Sequence, residues 1–457
     1  MKLCHAWPAK PAVRRQPRCK RAPDWVNYAV YDYGQWRRRG LGMKSVKGTR
    51  DLLPRDTYLF QQLEQGALVH FARYGFREIR TPIFEETQLF LRGIGDETDI
   101  VSKEMYSFED KGGRSITLRP ELTAAVCRAV IQHQLVGPTD IVKLMYMGPM
   151  FRYERPQAGR YRQFYQLGVE VFGSDDPLID VETIEALMSF IQPYGLPNLE
   201  LIVNSVGDST DRPAYLAYLR EALDDVRDQL CNDCQTRMVR NVLRVLDCKN
   251  ENCQSLFGEL RPISDFLSHE NRQHFEAVCN GLSQLGIPYR LNPKLVRGLD
   301  YYTKTAFELV SGDLGAQSAV MGGGRYDNLV QTLGGPATPA FGWAMGLDRM
   351  ASLLAARGME EKGPDLFLVF GERSWLDQAL PWIVKLRHQG LEVTYDLRVG
   401  SFKSQMKRAN RENARWTGII GTAEWANGTV SMKHMATSEQ TTLARENVAK
   451  FIEEQHA

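Results

Sequence analysis

The stretch MGPMFRYERPQAGRYRQFYQLGVEVFG, from Met147 to Gly173, indicates a β-hairpin with an unusual amount of positive charge. Two apolar and aromatic segments flank a loop that contains Pro and Gly, which is the pattern of two paired strands. The loop and its edges carry four arginines: Arg152, Arg155, Arg160 and Arg162. Because a guanidinium group binds carboxylates and phosphates in a bidentate manner, this hairpin is a candidate site for an anion.

The returning strand of the hairpin is predicted to have one polar and one apolar face. Side chains alternate between the faces of a strand, which also places Arg152 and Glu154 on one face of the first strand. The returning strand separates Gln166, Gly168 and Glu170 from Leu167, Val169 and Val171. Gly168 would leave open space on the polar face. Two interpretations remain open here: a platform for a ligand, or a solvated edge hairpin with surface salt bridges.

Helical and strand patterns precede the hairpin. An apolar periodicity predicts a helix that ends near Gly75, with one face formed by Leu59, Phe60, Leu63, Ala67, Leu68 and Phe71. FREIRTPIF then predicts a strand that ends at Pro82, and SITLR predicts a second strand. In the following segment, PELTAAVCRAVIQ, Pro120 suits the first position of a helix, which places Glu121 and Thr123 at its start.

Three later segments add arginine, tyrosine and glycine. KLVRGLDYYTKTAFELV contains Arg297, followed by Tyr301 and Tyr302. AVMGGGRYDNLV has three consecutive glycines, which indicate close approach of the backbone to a neighbour or ligand, before Arg325 and Tyr326. AFGWAMGLDRMASLLAA predicts a strand that enters a helix with Arg349 in its first turns. Several guanidinium groups on a glycine-opened sheet, with carboxylates nearby, suit a ligand that carries both phosphate and ammonium groups.

These segments resemble the motifs of class II aminoacyl-tRNA synthetases, and specifically of the histidyl-tRNA synthetase family. RTPIFE resembles motif 1, MFRYERPQAGRYRQF resembles motif 2 and GWAMGLDR resembles motif 3. VRGLDYYTKTAFE and GGGRYDNLV resemble the two segments particular to the histidine enzymes. The resemblance extends from about Lys44 to the C-terminus. It implies an α+β catalytic core with an antiparallel sheet flanked by helices, a helical insertion, and a C-terminal α/β anticodon-binding domain.

The resemblance also implies roles for individual residues in histidine activation. Arg152 would bind the α-phosphate of ATP, and Arg297 would stabilise charge from the other side, as the catalytic arginines. Arg349 would hold the nucleotide and Glu154 would help to place the adenine. Histidine would be bound by two groups of residues: Glu121, Thr123 and Gln166 at the α-amino group, and Glu170 and Tyr302, with the adjoining Tyr301, at the imidazole. Mg²⁺ would enter with ATP, since this ion prefers phosphate oxygens and water.

The same resemblance implies tRNA(His) as the third substrate and a homodimer formed through motif 1. The motif 2 loop would approach the acceptor end, with contacts from Arg155, Gln157 and Arg160. In the C-terminal region, alternating strand and helix patterns predict a three-layer α/β domain with a largely parallel sheet. Its basic helix SFKSQMKRANR offers Lys403, Lys407 and Arg408 for phosphate contacts.

Four cysteines in the expected insertion have the spacing of a metal site. CNDCQTRMVRNVLRVLDCKNENC places Cys231, Cys234, Cys248 and Cys253 in a C-x2-C, C-x4-C arrangement close to that of a structural Cys4 zinc site. The alternative is four reduced cysteines without metal. Zinc here would have no catalytic role, because a closed four-cysteine site has no open position for a substrate.

Composition restricts the setting in which the chain works. It has 457 residues, 43% of them hydrophobic and 25% charged, with eight cysteines. These values are typical of a globular protein, and no apolar run reaches the length of a membrane span. The absence of a secretory pattern favours a reducing compartment, and we expect the cytoplasm. Residues 1–42 are strongly basic, and we expect them to be disordered or untranslated, with an organellar leader or nucleic-acid-binding arm as alternatives.

The predicted domain limits follow from these patterns. They are 1–42 for the basic extension, 43–225 for the first part of the core, 226–288 for the helical insertion, 289–357 for the second part of the core and 364–457 for the anticodon-binding domain. Two rival functions remain: a non-catalytic synthetase-like regulatory subunit of histidine biosynthesis, and a synthetase-like sensor of uncharged tRNA. The first usually lacks the C-terminal domain and an intact RGLDYY segment, and both are present here. The second would need room for an effector domain.

Overall fold

The hairpin of Met147–Gly173 lies within a large sheet of the computed structural model, which describes residues 44–95, 98, 100–155, 159–313, 319–359 and 361–455. The predicted extension 1–42 lies outside the described residues. The strands before residue 360 are β1 (Arg77–Glu78), β2 (Phe84–Glu86), β3 (Tyr106–Glu109), β4 (Ser115–Leu118), β5 (Val142–Phe151), β6 (Gln163–Phe172), β7 (Leu199–Ser205), β8 (Arg290–Leu291), β9 (Thr303–Ser311), β10 (Ala319–Arg325) and β11 (Ala340–Gly346).

Eight of these strands form a mostly antiparallel sheet in the order β1-β5-β6-β11-β10-β9-β7-β8. Only its outer pairs, β1 with β5 and β7 with β8, are parallel. The remaining strands form a three-stranded sheet in the order β2-β4-β3. This arrangement confirms the predicted antiparallel core and places the hairpin strands β5 and β6 next to the glycine-rich strands β11 and β10.

Helices cover the sheet and connect its strands. They are α1 (Pro54–Ala72), α2 (Thr87–Ile94), α3 (Thr123–His133), α4 (Pro177–Ile191), α5 (Arg212–Asp224), α6 (Asn232–Arg240), α7 (Glu251–Leu256), α8 (His269–Gln284), α9 (Leu329–Thr332) and α10 (Leu347–Ala356). A five-residue π-helix spans Ile100–Glu104, and 3₁₀ turns span Gln192–Tyr194, Arg227–Gln229, Val242–Asp247, Phe257–Glu259 and Ile263–Phe266.

The predicted alternation on the returning strand is confirmed. Leu167, Val169 and Val171 are buried in the main apolar core with side chains of α1, α4, α8 and α10. The opposite face of β6 carries Gln166, Gly168 and Glu170, and Gln166 lines the cavity described below. The two faces of β6 therefore have different surroundings, one in the apolar core and one toward the cavity.

Several local predictions in the hairpin and before it are wrong. Strand β5 ends at Phe151, so Arg152 and Glu154 lie beyond it rather than on a strand face. Helix α3 begins at Thr123 and not at Pro120, because the Glu121 carboxylate accepts hydrogen bonds from the first helical N–H groups. Leu68 of α1 remains 40% exposed, although the other five residues of its predicted face are buried.

The strand predicted in FREIRTPIF is divided. Its first part forms β1, a two-residue strand at the edge of the large sheet. The chain then breaks pairing around Pro82 and enters β2, which pairs with β4 in the smaller sheet. The proline therefore marks a change of sheet, whereas the sequence pattern alone indicated a strand end.

Between β7 and β8 the chain is mainly helical, as expected of the insertion. A separate apolar cluster in this region draws residues from α5 to the turn at Ile263–Phe266, and includes Val296. Helix α8 instead packs on α4 and contributes Val278 and Leu282 to the main core. The predicted limits of 226 and 288 stay predictions.

The C-terminal region is an α/β unit with its own sheet. Its elements are β12 (Leu366–Phe370), α11 (Arg373–His388), β13 (Val393–Tyr395), α12 (Phe402–Arg411), β14 (Trp416–Ile420), α13 (Thr422–Asn427), β15 (Thr429–His434), β16 (Gln440–Ala444) and α14 (Val448–Glu454), with a 3₁₀ turn at Arg445–Asn447. The sheet order is β13-β12-β14-β15-β16. Its first three strands are parallel, and the last two are added antiparallel. Within the described ranges, no helix has both the length and the apolar character needed to cross a membrane.

Candidate active site

A single cavity on the polar face of the large sheet brings together most residues predicted to bind histidine and ATP. Loops after β4, β5 and β8 and strands β6, β9, β10 and β11 all contribute to its wall. The predicted residues that line it are Glu121, Thr123, Arg152, Glu154, Arg160, Gln166, Arg297, Tyr301, Tyr302 and Arg349. The cavity therefore combines several guanidinium groups with carboxylate, amide and phenol groups.

Arg152 is fixed by its neighbours and still faces the cavity. Its Nε donates to the Pro120 carbonyl oxygen at 2.8 Å, and its guanidinium lies 5.3 Å from the centre of the Phe164 ring. The nearest carboxylate oxygen, from Glu154, is 3.9 Å away. The side chain is thus held by a hydrogen bond and an aromatic contact, makes only a long ion pair with Glu154, and lines the cavity.

Arg297 lies against the strand with three glycines. A β-carbon added to Gly322 would be 2.3 Å from the Arg297 guanidinium, so a larger residue here would displace that group from its present position. The guanidinium forms an ion pair with Glu308 of β9, and its side chain is 16% exposed. The predicted close approach at the glycine triplet is therefore confirmed: Gly322 lies against Arg297, whereas Gly323 and Gly324 lie against the neighbouring strands.

Glu154 and Arg160 form a second pair at the mouth of the cavity. Their Oε2 and Nη1 atoms are 2.9 Å apart, and the Glu154 side chain is 14% exposed. Arg349 of α10 donates to the Ala319 carbonyl oxygen at the start of β10. Arg160 was predicted as a tRNA contact, and its position in the cavity wall places it beside the proposed nucleotide residues.

Glu121 holds the start of α3 beside the cavity floor. Its two carboxylate oxygens accept from the backbone N–H groups of Thr123 at 2.6 Å and Ala124 at 2.9 Å. Burial raises the pKa of Glu121, and the two N–H groups oppose this shift by stabilising the carboxylate. The helix N-terminus also favours negative charge here. The residue can therefore offer a fixed carboxylate to an ammonium group.

Glu170 lies below the cavity floor and is 1% exposed. Thr123 Oγ1 donates to its Oε1 at 2.8 Å, Tyr146 donates to the same oxygen at 3.2 Å, and Tyr326 donates to Oε2. Burial raises the pKa of Glu170 to about 8, against the opposing effect of these donors. The pKa of Glu170 therefore lies much closer to neutral pH than that of an ordinary carboxyl group.

Gly168 explains how Tyr146 reaches Glu170. A β-carbon on Gly168 would be 2.3 Å from the Tyr146 ring, so the predicted open space on this face is occupied by that ring. Tyr146 lines the cavity, and its hydroxyl donates to Glu170. Sequence analysis missed Tyr146, although its place opposite Gly168 in the antiparallel register was a usable sign.

Gln166 offers an acceptor that the described residues leave unpaired. Its Oε1 atom is buried and has no hydrogen-bond partner within the described part of the chain. A buried amide oxygen without a hydrogen-bond partner lowers the stability of the folded state by about 1–3 kcal/mol. A donor on a bound ligand would remove this cost.

Arg325, which the sequence pattern grouped with the ligand-binding arginines, lies outside the cavity. It is completely buried and forms ion pairs with Asp180 and Asp327. Asp180 also accepts from His274 at 2.9 Å. This network links β10 to α4 and α8, so Arg325 supports the glycine strand and does not line the cavity. Its neighbour Tyr326 reaches the site through Glu170.

The remaining predicted residues lie elsewhere. Arg155 is exposed on the motif 2 loop, and Gln157 lies outside the described residues. In the C-terminal unit, Lys407 and Arg408 line a surface cleft with two further arginines, Arg398 and Arg411, whereas Lys403 is exposed outside it. The sequence pattern missed Arg398 because it belongs to the loop before α12 rather than to the basic helix.

The antiparallel sheet and its arginine-lined cavity define the catalytic core of a class II aminoacyl-tRNA synthetase. A family model described as histidyl-tRNA synthetase matches residues 48–350, and a second, described as an anticodon binding domain, matches residues 360–455. The chain belongs to the histidyl-tRNA synthetase family.

Individual relatives agree with this assignment over nearly their whole length. A histidine–tRNA ligase of Synechococcus elongatus is 50% identical over 402 residues, which are 88% of this chain and 92% of the relative. One from Halothermothrix orenii is 46% identical over 418 residues, 91% of this chain and 99% of the relative. The solved structure of apo S. aureus histidyl-tRNA synthetase has a TM-score of 0.73 at 37% identity and covers 90% of this chain and 100% of its own.

Proposed function

We propose that this cavity activates L-histidine with ATP and then transfers the histidyl group to the 3′ end of tRNA(His). A histidine carboxylate oxygen attacks the α-phosphorus, and the bond to pyrophosphate breaks to leave histidyl-adenylate. The terminal ribose hydroxyl of tRNA then takes the acyl group and AMP leaves. The observation that carries this proposal is the meeting of Arg152, Arg297, Glu121 and Gln166 in one cavity above Glu170.

The acidic floor supports histidine binding. Glu121 and Gln166 provide acceptors for the α-ammonium group, and Thr123 joins them at the start of α3. Glu170, reached from the cavity through Thr123 and Tyr146, would recognise the imidazole together with Tyr302. Because an imidazole has one nitrogen that donates and another that accepts, a carboxyl group and a phenol suit its two sides.

The arginines support the phosphate half of the reaction. Arg152 and Arg297 approach the cavity from different elements, one after β5 and one before β9, so the α-phosphate between them would be held from two sides. Negative charge builds on its oxygens in the transition state, and preorganised guanidinium groups stabilise that charge without reorganising. Arg349 and the Glu154–Arg160 pair would hold the rest of the nucleotide.

Mg²⁺ is proposed to enter with ATP. Among the described residues, the only group of three or more close metal-ligating side chains is the four-cysteine cluster, which suits neither Mg²⁺ nor this cavity. The lining carboxylates Glu154 and Glu308 are each paired with an arginine. The residues therefore fit an ion held largely by phosphate oxygens and water, and its contribution would be to neutralise charge on the leaving pyrophosphate.

The test of this function is amino-acid-dependent ATP–pyrophosphate exchange on the purified full chain with each of the twenty amino acids. Exchange with histidine, and not with the others, is the expected result. Binding of histidine without exchange would instead favour the non-catalytic regulatory alternative, which the ligase relatives of near 50% identity do not support. Charging of tRNA(His) is measured in the same preparation.

We propose that tRNA contacts the C-terminal cleft and the motif 2 loop. Replacing Lys403, Lys407 and Arg408 with alanine should weaken tRNA(His) binding. The slope of the logarithm of the association constant against the logarithm of the salt concentration should become shallower by about 2, since each lost phosphate contact removes about 0.7. Histidine exchange should not change. Lys450→Ala, which removes an exposed lysine of α14, is the matched control. Unchanged affinity and salt slope in the triple variant would exclude these contacts.

A homodimer through motif 1 is proposed from the apolar surface of that segment. Ile83 is 44% exposed and Phe84 is 57% exposed, and Phe108 on the same small sheet is 50% exposed. Exposed aromatic and aliphatic side chains in one patch are typical of a protein interface. Sedimentation at micromolar concentration should give a mass twice that of one chain. The Phe84→Glu variant should instead sediment with the mass of a single chain. A single-chain mass for the unmodified protein would contradict the dimer.

We propose the cytoplasm as the working compartment. The six cysteines among the described residues are all free, which suits a reducing environment. Cell fractionation with an antibody to the chain would locate it.

A further inference from the structure

The four cysteines of the helical region converge on one point. Cys231 precedes α6, Cys234 lies in its first turn, Cys248 follows the turn Val242–Asp247, and Cys253 lies in α7. Their sulfur atoms all lie within 4.8 Å of one another, although the residues span more than twenty positions of the chain. The Sγ atoms of Cys231 and Cys248 are 3.7 Å apart.

This spacing is that of sulfurs around one tetrahedral ion. With Zn–S bonds of about 2.3 Å, tetrahedral geometry places neighbouring sulfurs about 3.8 Å apart. Two backbone groups also point at the cluster: Cys231 N–H donates to Cys253 Sγ at 3.3 Å, and Asn250 N–H donates to Cys248 Sγ at 3.4 Å. Such donors stabilise metal-bound thiolates from outside the ligand set.

The surrounding structure would gain stability from a cross-link. Helices α6 and α7 have nine and six residues, which is too short for stable helices on propensity alone. The apolar cluster that holds them is small and separate from the main core, and three of the cysteines are buried in it. A metal that joins both helices and the turn between them would supply the missing stability.

This region also touches the loop that carries Arg297. At the end of α6, Asn241 donates through Nδ2 to Asp300 Oδ1 at 3.0 Å. Val296, the residue before Arg297, is 9% exposed and belongs to the same apolar cluster as the cysteines. The position of residues 296–300 is therefore tied to the helices that the cysteines hold together.

We propose that Cys231, Cys234, Cys248 and Cys253 bind one Zn²⁺ in a closed structural site, and that this ion fixes α6 against the loop of residues 296–302. Binding converts the cysteine thiols to thiolates and releases their protons. The four ligands fill the tetrahedron, so the ion takes no part in histidine activation. Its effect on the active site is positional, through Asn241 and Val296.

Metal analysis of the purified full chain tests the site without reference to activity. We expect about one zinc per chain, released stoichiometrically by an organic mercurial, and at least a tenfold loss in Cys234→Ser. Cys279→Ser is the matched control, because Cys279 is a free cysteine outside the cluster, and it should retain full zinc. Three results for the unmodified protein would each overturn the proposal: no metal with all thiols reactive, disulfides between the cysteines, or iron in place of zinc. These measurements do not depend on whether Cys234→Ser folds.

Hydrogen exchange tests the link to the loop. In Asn241→Ala, zinc should stay at about one per chain while amide exchange in residues 296–302 rises severalfold. Zinc-depleted protein should show the same increase together with faster exchange at residues 231–253. Unchanged exchange at 296–302 in both samples would overturn the positional role and leave only a local metal site.

Discussion

Replacement of Arg297 by alanine is expected to reduce histidine-dependent ATP–pyrophosphate exchange by about 10³-fold, mainly through kcat. The guanidinium is largely shielded from water, is held against Gly322 and faces the cavity. A donor fixed in this way stabilises charge that develops only in the transition state, so its loss affects the chemical step more than substrate binding. Steady-state exchange with varied histidine and ATP separates kcat from the two KM values.

Two controls distinguish a missing cation from secondary damage. Arg290→Ala removes an arginine seven residues away that is 51% exposed and paired with Glu200, and it should leave exchange unchanged. Arg297→Ala also leaves Glu308 without its partner, so a double variant with Glu308→Gln removes that unpaired charge. If the missing guanidinium causes the loss, the double variant stays slow. Recovery to near wild-type exchange, or a loss below about threefold in the single variant, would contradict the catalytic role.

The sequence predicted those parts of the site that depend on local periodicity. Alternation along β6 placed Gln166, Gly168 and Glu170 on one face, and the glycine triplet indicated close approach before the partner was known. Both are properties of one strand, and a strand has a fixed period of two. The order of the motifs also indicated the family, which the comparisons confirm.

The wrong predictions concern residues whose positions depend on distant partners. Arg152 continues an alternating pattern in sequence, but beyond Phe151 its backbone N–H bonds to Arg162 O at 3.0 Å and its side chain turns to Pro120. Pro120 matches the usual first residue of a helix. The sequence does not show that the Glu121 side chain accepts from the Thr123 N–H group, so that the helix begins at Thr123. Arg325 resembled its neighbours in charge, and only the fold pairs it with Asp180.

The depth of Glu170 could not be predicted either. Alternation assigns a residue to a face of the sheet but says nothing about what covers that face. Tyr146 from β5 and Tyr326 from beyond β10 cover Glu170, and together with Thr123 they exclude water from it. The pKa of Glu170 is raised because these side chains bury it, so it depends on the tertiary structure and not on the local sequence.

Histidine affinity is expected to have a bell-shaped pH dependence, with limbs near pH 6.5 and about pH 8. Burial raises the pKa of Glu170 to about 8, whereas the imidazole of free histidine has a pKa of about 6.5. We expect the imidazole and Glu170 to hold one proton between them in the complex, linked through the hydroxyl groups of Thr123 and Tyr146. Below the lower limb both partners carry a proton and one must be released. Above the upper limb neither the imidazole nor Glu170 carries a proton, and binding must take one up. Affinity therefore falls by up to about tenfold per pH unit on each side.

Glu170→Gln separates this carboxyl group from every other titrating group. At pH 7 the variant should bind histidine roughly 30-fold more weakly, because a charge-assisted hydrogen bond is replaced by a neutral one. Its affinity should no longer fall above pH 8, except where the amino group of histidine itself titrates, since an amide has no proton to lose. Glu200→Gln, which changes an exposed carboxylate of β7, should keep the wild-type profile. Calorimetric titration from pH 5.5 to 9 measures both curves. An unchanged alkaline limb in Glu170→Gln would assign that limb to another group and remove Glu170 from imidazole recognition.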